Sequence, residues 1–134
     1  LRAFKTGKTM YFSVSKVKTI LVVDDERTNH CIVKALLSNM NVIHAKNGLE
    51  SVNIVENQHI DMVLMDYDMP GIDGLEAAAM VKRVNPDLPV IMYTANLQSE
   101  FIEKMKNQNG KVNDFLYKPA CESVLRAIVK KYAG

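Results

Sequence analysis

Three short apolar runs end abruptly in charged residues, and this pattern constrains the fold more than anything else in the chain. Ile20-Leu21-Val22-Val23 runs into Asp24-Asp25, Met62-Val63-Leu64-Met65 into Asp66, and Phe115-Leu116-Tyr117 into Lys118-Pro119. Runs of three or four residues are too short for helices, and they lack the alternation of a strand with one wet face. They read as strands buried on both sides, the signature of a parallel sheet covered by helices. In parallel, such strands bring their C-terminal ends to one edge, where open α/β folds bind ligands. That edge gathers three carboxylates and one ammonium. Clustered carboxylates repel one another, so the arrangement calls for a bound cation.

Strand and helix signals alternate five times after residue 17. Strands are expected at about 18–23, 42–45, 61–65, 88–93 and 112–117, and helices at about 27–38, 49–56, 75–84, 98–107 and 121–132. Helical spacing of Ile32, Val33, Leu36 and Leu37, and of Val124, Leu125, Ile128 and Val129, supports the first and last helices. Met69-Pro70-Gly71-Ile72-Asp73-Gly74 breaks both periodicities and reads as a loop. Five βα units with right-handed crossovers give a doubly wound, flavodoxin-like (βα)5 fold with strand order 2-1-3-4-5. That order sets strands one and three, which end in Asp24-Asp25 and Asp66, side by side at the switch point.

A hydrophobic content of 48% over 134 residues is enough for one domain with its own core. No run approaches the ~20 apolar residues of a membrane span, and no secretory signal opens the chain. The opening Leu suggests a piece of something longer. The net charge of +2 is uneven: residues 1–18 carry five basic residues and no acid, and the rest carries 12 basic and 15 acidic residues. The domain is therefore acidic and lacks the basic stripe of a nucleic-acid surface. Cys31 and Cys121 have no metal-ligand spacing and are expected to be reduced.

At the crevice, Asp25 and Asp66 suit one hard cation, and Mg²⁺ takes carboxylate and carbonyl oxygens while keeping several waters. A backbone carbonyl just past Asp66 completes the protein's share. One Asp66 oxygen then remains to attack a phosphoryl group. Lys118 is a compact charge suited to phosphoryl oxygens, and Thr94 offers a hydroxyl on the same edge. Asp24-Asp25 as a helix cap, Asp66 as a turn residue and Lys118 as a solvated loop lysine are the plainer alternatives.

With Leu64-Met65-Asp66, Met69-Pro70-Gly71-Ile72-Asp73-Gly74, Thr94-Ala95 and Lys118-Pro119 following Asp24-Asp25 in order, residues 18–134 resemble the receiver domain of two-component response regulators. The resemblance implies that Asp66 accepts phosphate from a phosphohistidine. It implies Mg²⁺ held by Asp25, Asp66 and the carbonyl of Asp68, with Asp24 in the outer shell. Thr94 and Lys118 would contact the phosphoryl group, Thr94 and Phe115 would form the switch, and Asp68 and Asn96 would tune dephosphorylation. It also implies a cis Lys118–Pro119 peptide, a histidine kinase or histidine phosphotransfer partner, and a cytoplasmic location. Dimerisation through the face of the fourth helix, fifth strand and fifth helix follows from the same likeness, with no nucleic-acid contact and no membrane insertion.

Residues 1–17 stand outside this pattern. Lys8 to Val14 alternates as a strand and resembles the final strand of histidine-kinase ATP-binding domains, which would put the receiver at the C-terminal side of a hybrid sensor kinase; a plain linker is the alternative. Two other functions stay open. Asp66-Tyr67-Asp68 after an apolar strand matches the nucleophile motif of haloacid-dehalogenase-type phosphatases, although there the nucleophile strand comes first and the acidic pair last. A pseudo-receiver that binds proteins without phosphorylation is the other.

Overall fold

The computed structural model describes residues 17–95, 98, 103–105, 107 and 112–134 in full, and the backbone of 2–6 and 9–13. Two antiparallel strands, β1 (Arg2–Thr6) and β2 (Thr9–Ser13), form a separate two-stranded sheet. The main domain follows as β3 (Thr19–Val23), α1 (Arg27–Leu36), β4 (Asn41–Ala45), α2 (Gly48–Asn57), β5 (Met62–Met65), α3 (Gly74–Val84), β6 (Val90–Thr94), β7 (Asp114–Tyr117) and α4 (Glu122–Tyr132). The sheet is parallel with order β4-β3-β5-β6-β7, the expected 2-1-3-4-5 arrangement. Among the described residues no helix is long and apolar enough to cross a membrane.

Alternate residues of each central strand feed two cores. Leu21, Val23, Val63, Met65, Val90 and Met92 pack with Ala77, Ala78 and Val81 of α3. Ile20, Val22, Met62, Leu64, Ile91 and Tyr93 pack with Val33 of α1, with Leu37 just beyond it, and with Leu125 and Val129 of α4. Every residue of β5 and β6 is buried, which is why those strands are apolar up to Thr94, the hydroxyl that ends β6. β7 lies at the edge and shows it: Phe115 and Tyr117 are each more than a third exposed, and their rings meet edge to face.

Boundaries moved by one or two residues where polar groups intervene. The fourth predicted strand begins at Val90 rather than Leu88, because Leu88 still donates to the Asn85 carbonyl in the turn that closes α3. The fifth begins at Asp114 rather than Val112, because Asn113 ties the strand start sideways, its Oδ1 accepting the Val90 N–H at 2.9 Å. Asn47 and Asp73 accept the N–H groups of Glu50 and Glu76 and so cap α2 and α3. Of the predicted helix at 98–107, residues 103–105 are helical and Met105 is buried in the α3-side core; most of the rest, and Asn96 before it, lie outside the described residues.

The predicted strand in the tail is present as β2, and its partner β1 was not anticipated because Arg-Ala-Phe-Lys-Thr carries too little β-branched or aromatic content to stand out. The hairpin is not a sixth strand of the five-stranded sheet. Both cysteines are free and exposed.

Candidate functional site

Parallel register brings the polar strand ends together. Val23 pairs with Met65, and Met65 with Met92, so Asp24-Asp25 and Asp66 leave adjacent strands at one level. Thr94, the last residue of β6, pairs with Tyr117, which places Lys118 one step beyond on the next strand. The result is a crevice of about 420 Å³ lined by Asp24, Asp25, Asp66, Asp68, Thr94 and Lys118 among others. Six residues named from sequence therefore share one cavity. Phe115 stands on the same sheet face as Thr94, one row down and on the neighbouring strand, since it pairs with Met92.

Asp24 is buried and heavily engaged. Its Oδ1 accepts the Glu26 N–H at 2.9 Å, and its Oδ2 accepts both the Asn29 amide at 2.9 Å and the Lys118 ammonium. Its own N–H donates to the Ala45 carbonyl, and its carbonyl oxygen meets His44 Nε2 at 2.7 Å. With both carboxylate oxygens occupied, Asp24 braces the site. The helix-cap alternative is partly realised: Glu26 is the residue at the N-cap of α1 and its side chain caps nothing, while Asp24 holds the Glu26 N–H from outside the helix. Asp25, by contrast, is exposed at the mouth.

Asp66 is 7% exposed, and its Oδ1 lies 3.4 Å from Lys118 Nζ. Burial pushes its carboxyl up to about 6; Lys118 pulls the other way, and the charges of Asp24 and Asp25 add to the rise. One carboxylate oxygen from each of Asp24, Asp25 and Asp66 lies within 4.8 Å of the others. Three carboxylates against one ammonium leave a negative, all-oxygen donor set, which suits a hard divalent cation. The Lys118–Pro119 peptide is cis, as expected.

Backbone packing fixes the Asp66 loop. A Cβ on Gly74 would lie 2.2 Å from the Asp66 carbonyl oxygen and 2.7 Å from Tyr67 Cα, so α3 starts in direct contact with the residue that carries the acid. Gly71 turns the same loop with φ of 84°, a conformation that only glycine adopts freely. Gly74→Ala is therefore expected to destabilise the domain by at least about 2 kcal/mol, read from its urea midpoint, because the obstacle is backbone and cannot rotate away.

Asn29, His44 and Tyr93 help to build the site and were not singled out from sequence, while Gly74 was read there only as part of a loop. Asn29 had a usable signal, a polar residue in the first turn of a helix that follows two acids. His44 stacks on buried His30 with ring centroids 5.0 Å apart, and burial with the His44 neighbour lowers the His30 pKa. Nothing in sequence brings those two histidines together before the β3–β4 pairing is known.

Comparison with known proteins agrees with this geometry. A family model described as the response regulator receiver domain matches residues 20–130. The chain is 33% identical over 127 residues to the sensor protein GacS of Pseudomonas syringae pv. syringae, covering 90% of this chain and 14% of that protein. It is 34% identical over 110 residues to the sensor protein EvgS of Escherichia coli O157:H7, covering 81% of this chain and 9% of that one. The chain thus spans only a small part of the curated relatives it matches. Among solved structures, the response regulator TrrA of Thermotoga maritima in complex with Mg²⁺–BeF is 30% identical, with a TM-score of 0.76, 87% of this chain and 99% of that chain covered. These relatives, and an acidic pair that precedes the Asp66 strand, do not favour the phosphatase reading; the complete acidic cluster does not favour the pseudo-receiver. On sequence, fold and the placement of its acidic residues, the chain belongs to the response regulator receiver domain family.

Proposed function

We propose that this domain takes a phosphoryl group from a phosphohistidine onto Asp66 and changes its partner contacts in response. The observation that carries this reading is Asp66 itself: a nearly buried carboxylate, 3.4 Å from an ammonium and within 4.8 Å of two more carboxylates. An Asp66 oxygen attacks phosphorus, an O–P bond forms as the N–P bond breaks, and the electron pair leaves with the donor imidazole. Lys118 then moves its charge from Asp24 toward the new phosphoryl oxygens, and the Thr94 hydroxyl donates to one of them. Thr94 leaving its place opens room for Phe115, on the same sheet face, to turn inward. Asp68, exposed at the mouth, and Asn96 set how readily water reaches the acyl phosphate.

Asp25, Asp66 and the Asp68 carbonyl would hold Mg²⁺, with Asp24 outside the first shell, and the ion would offset carboxylate charge and polarise the phosphoryl group. The TrrA structure, a complex with Mg²⁺–BeF, supports that choice of ion. Mg²⁺ at a hundredfold its dissociation constant is expected to stabilise the chain by about 2.7 kcal/mol, a melting shift of several degrees. Asp25→Asn is expected to remove most of that shift.

The relatives' names, sensor proteins and a sensor histidine kinase, support a place within a hybrid kinase, and a cytoplasmic location goes with that reading. The phosphodonor is then a histidine of the same protein or a dimer partner, and a histidine phosphotransfer domain the recipient. In this reading residues 1–17 are the end of an upstream kinase ATP-binding domain, and residues 18–134 are the receiver. An isolated two-stranded hairpin is marginal in water, which fits a sheet completed by upstream chain. In this reading the phosphorylated domain pairs with itself or a partner through the face that carries β7, and the exposure of Phe115 and Tyr117 there supports it. The deciding test is acetyl phosphate with Mg²⁺: label stable in acid and lost in hydroxylamine supports the reading, and absence of label in an intact, Mg²⁺-binding chain overturns it.

A further inference from the structure

Lys118 is held by a residue that the phosphoryl chemistry above does not use. Tyr93 is 3% exposed in β6, on the face packed against α1 and α4. Its hydroxyl accepts the Ala120 N–H at 3.1 Å, and its ring lies beneath the Lys118 ammonium, 5.5 Å from Nζ to centroid. A buried phenol needs a partner for its oxygen, so an apolar residue would fill this strand position at less cost unless the oxygen has a task. Pro119 has no N–H, so Ala120 supplies the first amide after Lys118 that can fix the turn. Cys121, at the N-cap of α4, makes no side-chain cap.

The two ends of Lys118-Pro119-Ala120 are thus tied to consecutive residues of one strand. Lys118 N–H donates to the Thr94 carbonyl at 2.9 Å, and Ala120 N–H donates to the Tyr93 hydroxyl. We propose that Tyr93 is a positioning residue for phosphoryl transfer to Asp66, acting through Lys118: the hydroxyl sets the turn and the ring supports the ammonium. Attraction to an aromatic face is broad in direction, so the ammonium can shift from Asp24 toward a phosphoryl group without leaving the ring. The same strand carries Thr94, so both groups aimed at the phosphoryl share one rigid support. This inference rests on Asp66 being the acceptor.

The test uses the whole chain with acetyl phosphate and saturating Mg²⁺. Tyr93→Phe, which removes one oxygen and keeps the ring, is expected to slow the limiting rate of Asp66 labelling about fivefold. Half-saturation by Mg²⁺ stays within twofold of the parent. Amide exchange at Ala120 rises tenfold or more while Leu64 and Ile91, in the core strands, keep theirs. Tyr93→Leu, which also removes the ring, is slower again; if it fails to fold, Tyr93→Phe decides alone. A Tyr93→Phe rate equal to the parent's overturns the proposal, and so does a slower rate that comes with loosened core exchange or altered Mg²⁺ half-saturation. A parent chain that takes no label defeats the acceptor reading instead, and unchanged Ala120 exchange in Tyr93→Phe then separately defeats the tether.

Discussion

Asp66→Asn is expected to make the metal-free chain more stable while it abolishes labelling by acetyl phosphate. The carboxyl of Asp66 is raised from 3.8 to about 6, mainly by burial. A raised acid binds its proton more tightly in the folded chain than in the unfolded one. Between pH 4 and 6 the native state therefore holds more protons, and stability falls as pH rises through that window. Above the folded value the penalty is fully developed, up to roughly 3 kcal/mol at 1.36 kcal/mol per unit. Asparagine has nothing to ionise, so the variant escapes the penalty, in which the attraction to Lys118 is already counted, while its amide replaces the neutral carboxyl imperfectly. A net gain on the order of 2 kcal/mol at pH 7.5 follows. Urea denaturation in EDTA at pH 4 and pH 7.5 checks it: the two proteins converge at low pH and separate at high pH. A variant no more stable than the parent at pH 7.5 would show that Asp66 is not held under charge stress.

The placement of that acid was legible before the fold was known, for a physical reason. Continuous burial forces an apolar run, and a carboxylate ending such a run marks where the sheet meets solvent. Two runs ending this way, with a third ending in Lys118, defined the edge, and the strand order followed from connection rules. What sequence could not give was the partner of each acid. Asp24 and Asp25 are adjacent and chemically identical in the chain, yet one is buried and braced by Asn29 and Lys118, and the other is exposed. The difference lies in the partners each side chain meets in the folded chain, which composition does not encode. Tyr93 was legible only as an exception, a hydroxyl inside an otherwise apolar run, and Gly74 only as a loop breaker, although it is the close approach to Asp66 that requires it. The hairpin partner β1 shows the opposite limit: pairing, not pattern, defines it.

Lys118→Met carries the largest expected loss of stability, and Mg²⁺ should reverse much of it. The Lys118 side chain is 11% exposed and joins two buried carboxylates, the side chain of Asp24, 2% exposed, and the side chain of Asp66, 10% exposed. Methionine keeps most of the length and apolar contact of the lysine stem, so the change is chiefly one of charge. Breaking a buried pair by removing one partner costs about 3–5 kcal/mol, because the remaining charge stays buried and unpaired. Here two carboxylates are left facing each other, and Asp66 can relieve part of the cost by keeping its proton to higher pH. The variant in EDTA is thus expected to lose several kcal/mol at pH 7.5 and less at pH 5, where Asp66 is protonated. A divalent cation restores the missing positive charge, so the stabilisation by Mg²⁺ should be larger in Lys118→Met than in the parent. Adding Asp66→Asn removes one of the two stranded charges, so the double variant should recover a substantial part of the loss, a coupling that independent sites do not show. Urea midpoints for the four proteins, each with EDTA and with Mg²⁺, measure all three effects together. Additive changes across that set would mean that Lys118 and Asp66 do not share a charge balance, and the crevice would have to be held together in some other way.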